Sequence, residues 1–333
     1  MREHYEQLET QMLSRYASFS ARSKGRERPE PPCELRTAYQ RDRDRILHSK
    51  SFRRLMHKTQ VFLSPEGDHY RTRLTHTLEV CQIARTISRA LRLNEDLAEA
   101  ISLGHDLGHT PFGHSGEYVL NEICADTGGY HHAEQSVRVL ESLENSGLGL
   151  NLTWETLDGI RCHSSDFGAQ SETLEGRVVH YSDKIAYMNH DIEDACRAGV
   201  LAEDDVPWEV RHGLGRGKTE RIATLITSIV NHSSKTIKMS DEHQVLYDRL
   251  RTFMFEAVYT NPEAKREEGK AKDVIRRLVE YFMDNTHKLP REYRLILEQE
   301  GALRAVCDYI SGMSDRYCIS VYENLFVPRS WSV

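Results

Sequence analysis

The sequence contains no apolar run close to the roughly 20 residues that a membrane-spanning helix requires. Its first residues also lack the apolar core of a secretory signal peptide. Charged side chains make up 29% of the residues, and the mean hydropathy is −0.60. These absences argue against a membrane-embedded or secreted chain, so we expect a soluble cytoplasmic protein without a membrane partner.

Paired cysteines are also lacking. The seven cysteines are scattered along the chain, none forms a Cys-X-X-Cys pair, and their number is odd. This pattern is typical of reduced thiols in a cytoplasmic protein. It argues against a disulfide framework and against a zinc site built from thiolates.

Positive charge is not in excess, because the net charge is −7. We therefore expect no chain-wide attraction to nucleic acid, although a local basic groove is allowed. Basic residues are concentrated in residues 35–63, where apolar residues keep helical spacing. This run predicts either a solvated amphipathic helix or a set of guanidinium groups that bind phosphate, with Arg54 among the candidates.

No alternation of apolar and polar residues marks a β-strand, and neither an internal repeat nor a low-complexity tract is present. Apolar residues instead recur at helical spacing, most clearly in residues 74–91, 97–107, 131–143 and 171–197. We predict an all-α fold of about a dozen helices. The expected parts are an N-terminal arm (1–34), a catalytic core (35–235) and a helical C-terminal subdomain (236–333).

One stretch, residues 103–117 (LGHDLGHTPFGHSGE), gathers histidine, aspartate, glutamate and glycine as no other part of the chain does. Pro111 must end or bend any helix inside it. A glycine-rich turn after a core helix is one interpretation. The other is a site that brings imidazole and carboxylate groups onto one metal ion or one phosphate.

Three helical segments offer ligands for such an ion, and metals that act on phosphates favour imidazole and carboxylate ligands with open positions for water and substrate. His76 lies in the first turn of one predicted helix, His105 and Asp106 lie at the end of the next, and Asp183 lies on the long helix after residue 171. Each residue alone is more often a core histidine or a salt-bridge partner. The order of the four and the blocks around them favour a metal site.

Five blocks of this sequence resemble the HD-domain phosphohydrolases, and within them the bacterial deoxyguanosinetriphosphate triphosphohydrolase-like enzymes. The similarity extends over roughly residues 35–200, with the motif region at about 72–195. The blocks are RDRDRILHSKSFRRLMHKTQVF (41–62), RLTH (73–76), GHDLGHTPFGHSGE (104–117), HAEQSV (132–137) and YSDKIAY (181–187).

The resemblance implies an HD-type helical fold and a divalent metal (Mn²⁺, Mg²⁺, Fe²⁺, Co²⁺ or Ni²⁺) held by His76, His105, Asp106 and Asp183. It implies hydrolysis of a deoxynucleoside triphosphate (dNTP) at the α-phosphate to deoxynucleoside and triphosphate. Acid–base and phosphate-handling roles then fall on His109, His114, Glu117 and His132, in a division that the sequence leaves open. Ala133 departs from the family pattern, in which a polar residue follows the second catalytic histidine.

The resemblance also implies five substrate contacts. Arg73 and Lys184 match phosphate-binding residues, and Gln60, Tyr187 and Asp191 match residues around the sugar; Arg54 is added from the basic run. Two alternatives stay open, namely an HD-type 5′-nucleotidase or nucleotide pyrophosphohydrolase, and a protein that senses nucleotides or binds single-stranded nucleic acid. A dNTP effector, a single-stranded DNA effector and a homo-oligomer (hexamer or tetramer) are further expectations.

Overall fold

A computed structural model describes residues 1–60, 71–164, 168–261 and 267–328. These ranges contain sixteen α-helices and no β-strand, which confirms the predicted all-α class. The helices are α1 (Arg2–Met12), α2 (Ala38–Leu47), α3 (Lys50–Arg54), α4 (Arg73–Leu91), α5 (Glu95–Gly104), α6 (His114–Ile123), α7 (His132–Arg138), α8 (Trp154–Arg161), α9 (Leu174–Arg197), α10 (Trp208–Gly213), α11 (Lys218–His232), α12 (Asp241–Met254), α13 (Glu268–Asp284), α14 (Arg294–Glu300), α15 (Ala302–Ser311) and α16 (Asp315–Phe326).

Three helices, α4, α5 and α9, form the centre of the molecule, and each begins at a capping side chain. Thr72 Oγ1 accepts a hydrogen bond from the Thr75 amide (3.4 Å), and Asn94 Oδ1 accepts from the Asp96 and Leu97 amides (3.2 and 3.3 Å). Thr173 caps α9 in the same way. Such caps satisfy amides that have no partner inside the helix, so these starts could be expected from sequence.

The buried apolar side chains form two clusters. The first extends from Ala17 to Val258 and includes the inner faces of α4, α5 and α9. The second joins Phe112 and α6 to α13 and α15. The turn that precedes α6 therefore lies where the two cores meet. The boundary at residue 236 between core and C-terminal subdomain stays a prediction.

The N-terminal arm contacts the core through ion pairs that occupy the first half of the basic run. Glu30 lies 3.1 Å from Arg41 and 2.7 Å from Arg45, and Arg26 pairs with the buried Asp42. The basic run itself forms α2 and α3. Arg41 and Arg45 of α2 thus stabilise the arm, and Arg43 of the same helix pairs with Asp44, Asp96 and Glu99 instead of being directed at a ligand.

Two helix boundaries differ from those expected from sequence. Helix α5 ends at Gly104, so His105 and Asp106 follow the helix instead of lying on its last turn. The sequence also predicts one helical stretch over residues 290–311, but Gly301, with φ of +91°, separates α14 from α15 within it. No helix among the described residues has the length and apolar character needed to cross a membrane.

Candidate metal and catalytic site

The four predicted ligands come together between α4, α5 and α9. His76 Nε2 lies 3.1 Å from Asp183 Oδ1 and 3.7 Å from Asp106 Oδ2. His105 Nε2 lies 3.4 Å from Asp106 Oδ1 and 3.8 Å from Asp183 Oδ1. His76, His105 and Asp106 are buried, and Asp183 is 19% exposed, so the cluster has one side open to solvent.

The hydrogen bond of His105 leaves its second ring nitrogen available for a metal. Its Nδ1 lies 2.6 Å from the carbonyl oxygen of Ser102, an acceptor, so Nδ1 donates there and Nε2 is the nitrogen that faces Asp106 and Asp183. Nε2 is buried and has no hydrogen-bond partner among the described residues. A buried nitrogen without a partner, set among carboxylates, fits a ligand to a divalent cation.

The charge of the cluster also suits a cation. Burial would raise the pKa of Asp106, but His105, His109 and Arg73 outweigh it and hold that pKa well below its usual range. Burial would likewise raise the pKa of Asp183, but its hydrogen bond with His76 and the charge of that ring lower it. Both carboxylates are therefore ionised near neutral pH, as ligands must be.

Asp106 connects the metal cluster to two further side chains. Arg73 Nη1 donates a 2.8 Å hydrogen bond to its Oδ2, and His109 Nε2 lies 3.1 Å from its Oδ1. Arg73 is 2% exposed, and its Nε has no hydrogen-bond partner among the described residues. Arg73, predicted to bind phosphate, is thus held against a predicted metal ligand.

A second group of ionisable side chains lies beside the cluster. Glu117 Oε1 accepts hydrogen bonds from the backbone amide (2.8 Å) and Nδ1 (2.9 Å) of His132. Burial would lower the pKa of His132, but the Glu117 carboxylate outweighs burial and raises it. The pKa of Glu117 falls in turn, because His132 and His114 overcome the effect of its burial.

His109 and His114 differ sharply in their surroundings. His109 is buried, and burial, followed by the charges of Arg73 and His132, lowers its pKa well below the ordinary value. His114, the first residue of α6, is 82% exposed, with Nδ1 3.4 Å from Glu117 Oε2. Glu117 Oε2 also lies 3.8 Å from His109 Nδ1, so Glu117 is within reach of all three predicted catalytic histidines.

Two of the residues predicted around the sugar, Tyr187 and Asp191, lie in the second half of α9. Tyr187 is half-buried, and burial raises its pKa to about 12. Asp191 is 2% exposed, and its Oδ2 accepts a 2.5 Å hydrogen bond from the hydroxyl of Tyr259. Lys184 is half-buried and follows Asp183 directly.

Gln60 and Arg54 belong to the segment that precedes α4. Gln60 is half-buried, and its Oε1 has no hydrogen-bond partner among the described residues. Arg54 donates a 3.1 Å hydrogen bond to the carbonyl of Gly312 and lines a cavity together with Tyr293, Tyr309 and Tyr317. The contacts described for Arg54 connect it to the C-terminal helices and not to the metal cluster.

Two buried histidines beside the cluster were not predicted from the sequence. His190 Nε2 lies 2.9 Å from His76 Nδ1, and its Nδ1 lies 2.7 Å from Asp191 Oδ1. His163 Nε2 lies 3.3 Å from His132 Nε2, and burial, then His105 and His132, lowers its pKa to about 3. Because His190 follows Asp183 by two helical turns, its position on the same face was a usable signal. His163, just past α8, offered none.

The all-α fold and this His–Asp cluster define an HD-domain phosphohydrolase. The family model of the HD domain matches residues 73–188, and that of the phosphohydrolase-associated domain matches residues 237–324.

Three relatives carry the name deoxyguanosinetriphosphate triphosphohydrolase-like protein. The one from Caldanaerobacter subterraneus subsp. tengcongensis is 56% identical, with 99% of this chain and 97% of the relative covered. Those from Desulfatibacillum aliphaticivorans (50%; 98% of each chain) and Clostridium tetani (48%; 99% and 97%) are also similar over nearly their full length. This chain belongs to the deoxyguanosinetriphosphate triphosphohydrolase-like family.

Proposed function

We propose that this protein hydrolyses deoxynucleoside triphosphates at the α-phosphate to a deoxynucleoside and intact triphosphate. The observation that carries the proposal is the position of Asp106. Its carboxylate adjoins the His76–His105–Asp183 cluster on one side, and Arg73 and His109 on the other. Metal ligands, a phosphate-binding cation and acid–base groups thus surround one small space, as phosphoryl transfer requires.

His76, His105, Asp106 and Asp183 would hold a divalent ion, because two imidazoles and two ionised carboxylates converge there. When bound, such an ion supplies Lewis-acid activation of water and neutralises charge on the phosphate oxygens. Its identity among Mn²⁺, Mg²⁺, Fe²⁺, Co²⁺ and Ni²⁺ is open, since nitrogen and oxygen ligands suit all five.

Arg73 and Lys184 are assigned to the phosphate groups. Arg73 is buried beside Asp106, so its guanidinium is fixed before substrate arrives and loses little freedom on binding. Lys184 adjoins the ligand Asp183 in sequence and adds a second positive charge near the same space. Together they would orient the chain of phosphates and offset its negative charge.

The leaving 5′-oxygen needs a proton, and Glu117 holds the imidazoles that can supply it. His132 is held by two hydrogen bonds to Glu117 and is favoured as an imidazolium, and its Nε2 faces His163 Nε2 at 3.3 Å in the free protein. His114 is the second candidate, because Glu117 also lies within 3.4 Å of its Nδ1. His109, kept neutral by burial and by Arg73, is assigned to a phosphate or water contact.

Tyr187, Asp191 and Gln60 are assigned to the deoxyribose. A tyrosine ring against the sugar leaves little room for a 2′-hydroxyl, and a carboxylate can accept from the 3′-hydroxyl. The Asp191 carboxylate is already oriented by the Tyr259 hydroxyl. Gln60 has a buried carbonyl oxygen without a described partner, as a ligand-binding amide would have before substrate arrives.

The proposal is tested by incubating metal-reconstituted protein with each dNTP, alone and in mixtures, and separating the products by anion exchange. Triphosphate with deoxynucleoside is the expected outcome. Orthophosphate or pyrophosphate as the only phosphorus product indicates the 5′-nucleotidase or pyrophosphohydrolase alternative. Nucleotide binding without turnover indicates a sensor. A rate that rises when a second dNTP is added supports the predicted dNTP effector. Single-stranded DNA is tested as an effector in the same assay.

A further inference from the structure

The carboxylate of Asp315 connects the C-terminal helices to two segments of the candidate active site. Asp315 is the first residue of α16 and is 4% exposed. Its Oδ2 accepts from the amide of Thr59 (2.9 Å) and from the Thr59 hydroxyl. Its Oδ1 accepts from the amide of Phe112 (3.0 Å). Both oxygens of one buried carboxylate thus accept hydrogen bonds from segments that are distant from Asp315 in sequence.

The Phe112 amide belongs to the turn between His109 and His114. Phe112 has φ of +63°, a conformation that side chains other than glycine rarely adopt, and Gly113 follows with φ of +56°. Such a backbone persists only where its surroundings hold it. Thr110 Oγ1 donates to the Gly113 carbonyl (2.8 Å) inside the turn, and the Phe112 ring lies in the second core.

A second bond ties the start of the same turn to the same C-terminal segment. The buried Lys58 donates through Nζ to the carbonyl oxygens of His109 and of Ser311, the latter at 2.9 Å. Residues 311–315 therefore hold the turn at both ends, through Lys58 at residue 109 and through Asp315 at residue 112.

The turn also fixes the position at which α6 starts. The Glu117 amide donates to the Gly113 carbonyl (3.2 Å), and the Glu117 side chain holds His132 at 2.9 Å. A movement of the turn would displace the carboxylate that orients the proposed proton donors. Misplacement of catalytic groups by about 1 Å can cost about a hundredfold in rate.

We propose that Asp315 is a positioning residue for the hydrolytic reaction: its carboxylate, supplied by the C-terminal helices, fixes the turn 110–113 and thereby the place of Glu117 and the histidines it holds. The inference rests on the proposed function for its kinetic consequence. The fixing of the turn is a property of the free protein and can be measured without substrate.

Asp42 provides a matched control. It is buried, and its Oδ2 accepts from the Thr153 amide (2.9 Å), the Thr153 hydroxyl and the Thr156 hydroxyl (2.9 Å). It therefore repeats the carboxylate–threonine arrangement of Asp315 in a part of the fold that carries none of the assigned site residues. Asp315→Asn and Asp42→Asn each replace one accepting oxygen by a donating NH₂ group.

The test compares the two variants in metal content, kinetics and hydrogen exchange. Asp315→Asn should lower kcat by about tenfold to a hundredfold with little change in KM or bound metal, and peptides covering 108–116 should exchange faster. Asp42→Asn also weakens the ion pair with Arg26, so it should lose at least as much thermal stability but keep kcat within about threefold of the parent protein. Its exchange over residues 108–116 should be unchanged.

Equal kcat values for the two variants, or unchanged exchange over the turn in Asp315→Asn, would overturn the inference. If Asp315→Asn fails to fold, Asp315→Glu carries the test, because it keeps a carboxylate but moves it relative to the amides of Thr59 and Phe112. Thr59→Val, which removes only the hydroxyl bond to Asp315 Oδ2, should have a smaller effect in the same direction. Failure of the unaltered protein to release triphosphate would count against the proposed function alone, since the exchange experiment still decides whether Asp315 fixes the turn.

Discussion

The imidazole rings of His109 and His132 lie parallel, with centroids 3.9 Å apart and 12° between their planes. Their surroundings move their pKa values in opposite directions. Burial and Arg73 lower the pKa of His109, whereas the Glu117 carboxylate outweighs burial and raises that of His132. The surroundings thus favour the neutral form of one ring and the charged form of the other, and the two rings are stacked within the same site. Such separation of pKa values is how one site provides both a proton donor and a neutral partner at one pH.

Replacing Glu117 by glutamine should lower kcat by about a hundredfold or more and change the pH profile. Loss of the negative charge lowers the pKa of the imidazole that must be protonated for the reaction. Because the active form is then lost at lower pH, the alkaline limb of the kcat/KM profile should move toward acid. A Glu117→Gln profile with an unmoved alkaline limb would show that Glu117 does not set the proton donor.

Asp106→Ala and His114→Ala should separate metal binding from proton transfer. The first removes a carboxylate at the centre of the ligand cluster, so bound metal and turnover should both be lost. The second removes an exposed ring that is 3.4 Å from Glu117 and is not among the ligands, so metal should be retained while turnover falls by about a hundredfold. Metal analysis of the purified variants, together with initial rates, makes the comparison.

His132→Ala decides between the two candidates for the acid. If His132 supplies the proton, its loss should lower kcat more than the loss of His114 does, because His132 makes the closer contact with Glu117. Metal content should again be retained. The reverse order of the two effects would assign the proton to His114.

Gly113→Ala should impair the site by more than its backbone strain. A Cβ at Gly113 would lie 3.2 Å from Arg73 Nη2, and φ there is +56°. Gly128 has φ of +99°, and a Cβ added there would have no described atom within 4 Å, so Gly128→Ala provides the strain without the contact. Each variant should lose about 1 kcal/mol of stability. Only Gly113→Ala should lower kcat/KM, by about tenfold, and equal kcat/KM values would contradict the contact.

The buried Lys58 should make stability depend on pH. Burial lowers its pKa from 10.5 to about 7, so between these values the unfolded chain binds the additional proton. Unfolding free energy should therefore rise with pH over that window, by at most about 1.4 kcal/mol per pH unit. Lys58→Met should lack this contribution. The measurement is the difference in unfolding free energy between the two proteins from pH 7 to pH 9, and a constant difference would be contrary to the assignment.

The candidate ligand cluster could be predicted from sequence because its residues lie on, or directly after, helices with strong local signals. Helices α4, α5 and α9 have clear periodicity and caps, so His76, His105, Asp106 and Asp183 could be placed near helix ends and on one face. Helix α6 was not predicted, because Gly113, His114 and Gly116 at its start hide the apolar spacing that begins at Val119. The resemblance supplied the candidate roles, which no spacing alone could give.

The long-range polar contacts could not be predicted from local sequence signals. The spacing of His190 from Asp183 indicates a shared helix face, but it does not show that His190 is fully buried against His76. In the sequence, Asp315 resembles an ordinary acidic residue in the first turn of a helix. In the structure, its side chain bridges Thr59 and Phe112. Such contacts depend on how two cores meet, and a single sequence carries no periodic signal for that.

Cleavage at the α-phosphorus is tested most directly by ³¹P NMR of the products formed from dGTP in ¹⁸O-water. The expected products are deoxyguanosine and intact triphosphate, with the ¹⁸O label on a terminal phosphate of the triphosphate, because water attacks phosphorus and the 5′-oxygen leaves with the nucleoside. Pyrophosphate or orthophosphate as the only phosphorus product, or a label in the deoxyguanosine, would contradict it.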